Sequence, residues 1–264
     1  MGKIITICNF KGGTGKSTTT HTLGVGLGLR GYKVLLVDAD PQCNLTFVSN
    51  IDTKDNTNTI YELIKGERDP KETIYKTKYY DIICGSLSIS RADNELTKEP
   101  YIFNCFYLLK EQLDKIKKEY DFIIIDTPPT LALITQNCLV ASDSVIVPTQ
   151  ADSFCISGLA NLRKQLDIIS SRTTNKGLYI EGILLVKYSE RTTLNRVLKE
   201  ELFNASKILN TKIYPYAIRE SVGVRESQTL KSNILLDNPK NNASIDYTYF
   251  IEQFLKDNKE KESK

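Results

Sequence analysis

Lys11, Gly12, Gly13, Thr14, Gly15, Lys16 and Ser17 run consecutively, three glycines between two lysines with a hydroxyl at the close. Glycines let backbone N–H groups crowd round a phosphate, and Lys16 can reach the terminal phosphates of a nucleotide. The Ser17 hydroxyl is placed to ligate Mg²⁺, which prefers hard oxygen donors, and Thr18 is the next nucleotide-binding position. Farther on, Asp38 and Asp40 follow the apolar run Val34 to Val37, and Asp126 ends the run Phe122-Ile123-Ile124-Ile125. A carboxylate at the end of a buried strand can hold Mg²⁺ directly or through water, which makes Asp126 the Walker B-like candidate. One of Asp38 and Asp40 is expected to face the phosphates and the other elsewhere. Asp40-Pro41 also reads as a strand-ending turn.

Such groups need strands to aim them. Ile4 to Cys8 is a short β-branched run of the kind that forms a buried parallel strand, and residues 16 to 30 carry helix-like spacing that ends at Arg30-Gly31. Residues 50 to 78 are polar and irregular apart from a short helix over IYELIKG, residues 60 to 66. Strands are expected at Tyr79 to Cys84, Phe122 to Ile125, Ser144 to Pro148 and Tyr179 to Val186. Helices are expected from Tyr101 to Glu119, from Phe154 to Ser170 and from Thr192 to Asn204. An amphipathic stretch from Ile245 to Leu255 leads to a frayed charged tail at about 257–264. Alternating strands and helices predict an α/β P-loop NTPase fold, a mostly parallel sheet with helices on both faces. No linker interrupts the pattern, so residues 1–264 read as one domain.

Composition narrows the setting. Of 264 residues 41% are hydrophobic and 25% charged, ordinary for a globular core. No apolar run approaches the roughly 20 residues that cross a bilayer. The first strand begins at once, leaving no room for a signal peptide. Six cysteines without a CxxC pair read as reduced thiols rather than metal ligands, and the single histidine, His21, as a packing or solvated residue. A cytoplasmic setting follows. The net charge of +3 gathers between 187 and 240, where 10 basic residues face 6 acidic ones. That surplus suits a polyanionic partner or a mixed, solvated surface.

The loop string resembles the deviant Walker A motif of the ParA/MinD family of ATPases, in which a lysine at the head of the loop, here Lys11, is the signature. Position 10 is Phe where the general P-loop has Gly. VLLVDADPQCNLT resembles the family's second motif and Thr127-Pro128-Pro129 its second switch, and VIVPTQADSF, ERTTLNRVLKEEL and IRESVGVRESQ also look like family segments. The resemblance implies ATP and Mg²⁺ as cofactors and a homodimer with ATP between its subunits. Lys11 would reach the partner's nucleotide, Asp40 would orient the attacking water, and Asp38 would support the Mg²⁺ shell. Alone, Lys11 could equally be a solvated charge.

Within the family, the last fourteen residues lack an apolar face opposite a cationic one, so membrane targeting is not expected. Cys138 lacks the glycine neighbours of cluster-binding members, and Tyr247 and Tyr249 are too few for a tyrosine-kinase tail. With no N-terminal helix-turn-helix domain ahead of the first strand, the sequence looks like a short ParA-type partition ATPase. That implies slow hydrolysis, stimulation by a ParB-like or centromere-binding protein, and nucleoid association through nonspecific DNA contacts. Lys187, Arg191, Arg196, Arg219, Arg225 and Lys231 are the DNA candidates, with Arg219 preferred because Arg225 adjoins Glu226. An ATPase that positions a protein cargo, or a MinD-like membrane regulator, is the alternative.

Overall fold

Six strands bring their carboxyl ends to one edge of the sheet, and everything reactive hangs from that edge. The computed structural model describes residues 2–51, 53, 58–98, 104–152, 155–173, 175–189 and 193–262. In chain order the elements are β1 (Lys3–Ile7), α1 (Lys16–Gly28), β2 (Val34–Asp38), α2 (Asn44–Val48), α3 (Ile60–Ile64), β3 (Ile74–Lys76), β4 (Asp81–Ile83), α4 (Ala92–Glu95), α5 (Leu108–Ile116), β5 (Phe122–Asp126) and α6 (Leu133–Ala141). After these come β6 (Ser144–Thr149), α7 (Cys155–Arg172), β7 (Tyr179–Leu185), α8 (Thr193–Ile208), α9 (Val222–Thr229), α10 (Ile234–Asp237) and α11 (Asn242–Glu262). The sheet order is β3-β4-β2-β5-β1-β6-β7, and every pair except β3–β4 is parallel.

Strand periodicity sorts the core. Ile5, Ile7, Leu36 and Ile124 pack one face against Leu23 and Leu27 of α1 and Phe250 and Phe254 of α11. Their alternates Ile4, Leu35, Val37 and Ile123 pack the other face against α3, α5 and α6, while Val145, Val147 and Ile183 meet α7 and Leu202 of α8. Burial on both faces is why these strands read as continuous apolar runs instead of alternating ones.

Three expectations need correction. The helix expected from Tyr101 to Glu119 is regular only over α5; residues 104–107 form turns, 117–119 a 3₁₀ turn, and residues 101–103 lie outside the described set. Asn137 of α6 is the cause, since it donates to the Cys105 carbonyl at 2.7 Å and accepts the Leu109 N–H at 3.2 Å, fixing the chain where the helix begins. The stretch expected to be irregular contributes β3, an antiparallel edge strand. The tail expected to fray is helical to Glu262, because Asn258 is buried and donates to Glu181 at 3.0 Å.

Candidate nucleotide site

The loop between β1 and α1 has Gly13 and Gly15 in the left-handed region, both at φ +74°, where a residue with a Cβ is strained. Gly15 is the N-cap of α1, and no side chain caps that helix start. The first N–H groups of the helix are therefore open to an anion. Phe10, out of place in a general P-loop, packs against the apolar cluster that includes Cys8 and Leu159. Lys16 is 7% exposed and turns its Nζ back to the Lys11 carbonyl at 3.4 Å. The Lys11 ammonium pairs with Asp152 at 2.5 Å in the same chain, and its backbone N–H bonds Asn9 at 2.9 Å.

Register sets the carboxylates. Asp126 stands opposite Ile7 on one side and Asp38 on the other, since β5 lies between β1 and β2. Both Asp126 oxygens are buried without a hydrogen-bond partner. Burial raises its pKa far above the usual carboxylate range and the Asp38 charge adds to this, while Ser17 and Lys16 act against it. A buried, unpaired carboxylate beside a hydroxyl and an ammonium suits a hard dication that draws its other ligands from phosphate and water. Among the described residues no cluster of three or more His, Cys, Asp or Glu forms a self-sufficient metal cage, and all six cysteines are free thiols.

Asp38 and Asp40 take different places, and not by strand alternation, because β2 ends at Asp38. Asp38 is fully buried and accepts the Thr46 N–H and hydroxyl, both at 2.8 Å, and the Asp40 N–H at 3.2 Å. Burial lifts it to about 6 despite these donors. Asp38 thus organises the turn that carries Asp40. Asp40 itself lines the cleft, with one oxygen accepting the Gln42 N–H at 2.9 Å.

The cleft holds about 750 Å³ and runs from Gly12–Thr18 past Asp40 and Phe47 to Val186, Ile218, Val224 and Tyr247. Its far wall is tied to the loop: Gln228 of α9 donates to the Thr18 hydroxyl at 2.8 Å, and Tyr247 meets Thr19 at 3.3 Å. Three of the DNA candidates, Lys187, Arg219 and Arg225, line this same cleft. Arg219 forms a two-pronged pair with Asp246, at 2.8 and 2.7 Å, which reverses the order of preference between it and the exposed Arg225. Lys231 lies over the Phe47 ring at 5.1 Å, Arg196 is exposed on α8, and Arg191 falls outside the described residues. Sequence reasoning missed Thr46, Gln150, Asp152 and Gln228. All four lie inside stretches already singled out, yet nothing in their types declared their partners.

A glycine cradle at a helix start and an orphaned carboxylate on the adjacent strand, both at the carboxyl edge of a parallel sheet, define a P-loop nucleoside triphosphatase. The AAA domain family profile matches residues 2–180. The sporulation initiation inhibitor protein Soj of Bacillus subtilis is 36% identical over 249 residues, covering 94% of this chain and 96% of Soj. The chromosome partitioning protein ParA of Myxococcus xanthus is 31% identical, covering 97% of this chain and 89% of ParA. A solved structure of cobyrinic acid a,c-diamide synthase from Mycobacterium smegmatis, with bound ATP analogue and magnesium, is 26% identical. It covers 97% of this chain and 94% of its own, with a TM-score of 0.83. The chain belongs to the ParA/MinD family and is a ParA-like ATPase.

Proposed function

We propose that the chain is a DNA partition ATPase. It closes as an ATP sandwich homodimer, binds DNA without sequence preference, and hydrolyses ATP slowly under stimulation by a ParB-like, centromere-binding protein. The observation that carries the chemistry is the buried, unpartnered Asp126 beside an uncapped helix start. Asp126 and Ser17 would hold Mg²⁺, which neutralises charge on the phosphates. Lys16 and the N–H groups of Gly12 to Thr18 bind the phosphates, and Asp40 orients water from the cleft wall. Asp38 acts by fixing Asp40. The chromosome partitioning protein ParA named above supports the partition reading; one ATPase domain over residues 1–264 and a cytoplasmic, nucleoid-associated setting belong to the same proposal. Among the described residues no helix is long and apolar enough to cross a membrane.

DNA contact falls to Arg225 and Lys231, which are exposed near the cleft. Gel-shift titration of unrelated duplexes with ATP, with ADP and without nucleotide, across a salt series, tests the reading. Binding is expected only with ATP, indifferent to sequence, falling steeply with salt and retained in Asp40→Ala. Arg225→Glu should reduce the salt slope by about one per subunit. Equal affinity in all three nucleotide states, or none at low salt, would leave the cargo-positioning alternative in its place.

A further inference from the structure

Two side chains from outside the glycine loop converge on one carbonyl within it. The Gly13 oxygen accepts from Lys187 Nζ at 2.8 Å and from Gln150 Nε2 at 2.9 Å. Lys187 stands two residues beyond the end of β7 and sits at φ +51°, a conformation uncommon for a residue with a Cβ and concentrated at ligand clamps. Its neighbours are held on both sides: the Val186 N–H bonds the Thr149 carbonyl at 2.9 Å, and the Tyr188 N–H bonds the Ile218 carbonyl at 3.0 Å. Val186 in turn lies 3.8 Å from where a Cβ on Gly15 would stand. The end of β7 is thus built against the loop, and Lys187 is aimed at it.

We infer that Lys187 is a positioning residue of the nucleotide site, a third lysine beside Lys11 and Lys16, and not part of a DNA surface. This rests on the nucleotide reading of the cleft. A phosphate cradle works by presenting N–H groups inward, which requires its carbonyls to point away. A carbonyl that swings inward meets phosphate with its negative end. The two donors occupy the Gly13 oxygen and so fix the orientation of that peptide, and the Lys187 ammonium offsets its partial charge while adding a cation to the cleft.

The test is titration of wild type, Lys187→Met, Lys187→Arg and Lys187→Gly with fluorescent ATP and ADP analogues, alongside hydrolysis kinetics and duplex binding. Loss of one charge-assisted hydrogen bond predicts about tenfold weaker binding of both nucleotides in Lys187→Met. KM should rise more than kcat falls, and Lys187→Arg should recover most of the affinity. Glycine adopts the left-handed backbone freely, so Lys187→Gly should keep its melting temperature and still bind nucleotide poorly. Wild type that binds nucleotide while Lys187→Met binds equally well overturns the assignment alone, whether or not its DNA affinity changes. A wild-type chain that binds no nucleotide overturns the reading of the cleft, and the assignment with it.

Discussion

His21 is the only histidine, and the fold requires it neutral. It is buried against Tyr80 and lies 3.2 Å from the Asn233 amide, and burial lowers its pKa from 6.5 to about 4. Native protein resists a proton that the unfolded chain accepts, so the His21 contribution is complete above pH 6.5 and is lost as pH falls towards about 4. At about 1.4 kcal/mol per pH unit the loss is on the order of 3 kcal/mol. Asp38, raised to about 6, works in the opposite direction: its buried charge costs stability as pH rises through that value. Melting curves of wild type and His21→Gln separate the two, since only the histidine differs; the gap should narrow as pH falls from 7 to 4. A constant gap would mean His21 is not held neutral. At this scale the nucleotide and metal candidates Lys16, Ser17 and Asp126 could be picked out, because the first two close a glycine-rich loop and the third ends a strand. Thr46 was not, because an ordinary threonine announces nothing about a carboxylate eight positions away.

Helix α1 shows what an element must satisfy beyond its own periodicity. A Cβ on Gly28 would stand 1.9 Å from the Tyr79 carbonyl oxygen, whereas one on Gly24 would meet only the mobile end of Leu36, at 2.7 Å. Glycine to alanine in a helix ordinarily stabilises by about 1 kcal/mol. Gly28→Ala should reverse that sign and cost about 1–3 kcal/mol, because backbone has to move. Gly24→Ala should cost less. Urea denaturation of both variants decides it, and a Gly28→Ala chain as stable as wild type would mean that β4 and its preceding turn yield easily. The central strands were readable because burial on both faces leaves unbroken apolar runs. The edge strand β3 was not, since Ile74-Tyr75-Lys76 is short and half-exposed and owes its form to pairing with β4. Helix α5 was overdrawn for a related reason: Asn137, from another helix, decides where it starts.

At the scale of the whole molecule, the Lys11–Asp152 pair is the state from which any assembly begins. A lysine that serves a second subunit must first leave Asp152. Both side chains are partly exposed, so the pair is worth at most about 1 kcal/mol. A two-fold dimer breaks two such pairs, so Asp152→Ala should raise the ATP-dependent dimerisation constant no more than about thirtyfold. Lys11→Ala should lose the dimer while the monomer still binds nucleotide. Light scattering with a non-hydrolysable ATP analogue measures both, and an unaltered dimer fraction in Lys11→Ala would remove the sandwich from the proposal. Whole-chain architecture was legible from the alternation of elements. The meeting of Lys187 with Gly13 was not, since 174 positions of sequence separate them.

The run of α11 across the molecule has a practical consequence for watching the protein in living cells. Its first turn adjoins Arg219, whose guanidinium reaches the Asn242 carbonyl at 3.4 Å; its last carries Lys261, which donates to the Tyr179 hydroxyl at the start of β7. A fluorescent label joined after this helix would emerge at the end of the sheet remote from the nucleotide, leaving the cleft unobstructed. Trimming the helix to shorten the tether is a different matter. Removal of Asn258 would strip an amide from buried Glu181, which Lys3 and Ser144 also hold, at 2.8 and 2.6 Å. A tether belongs beyond Glu262, never within the last two turns.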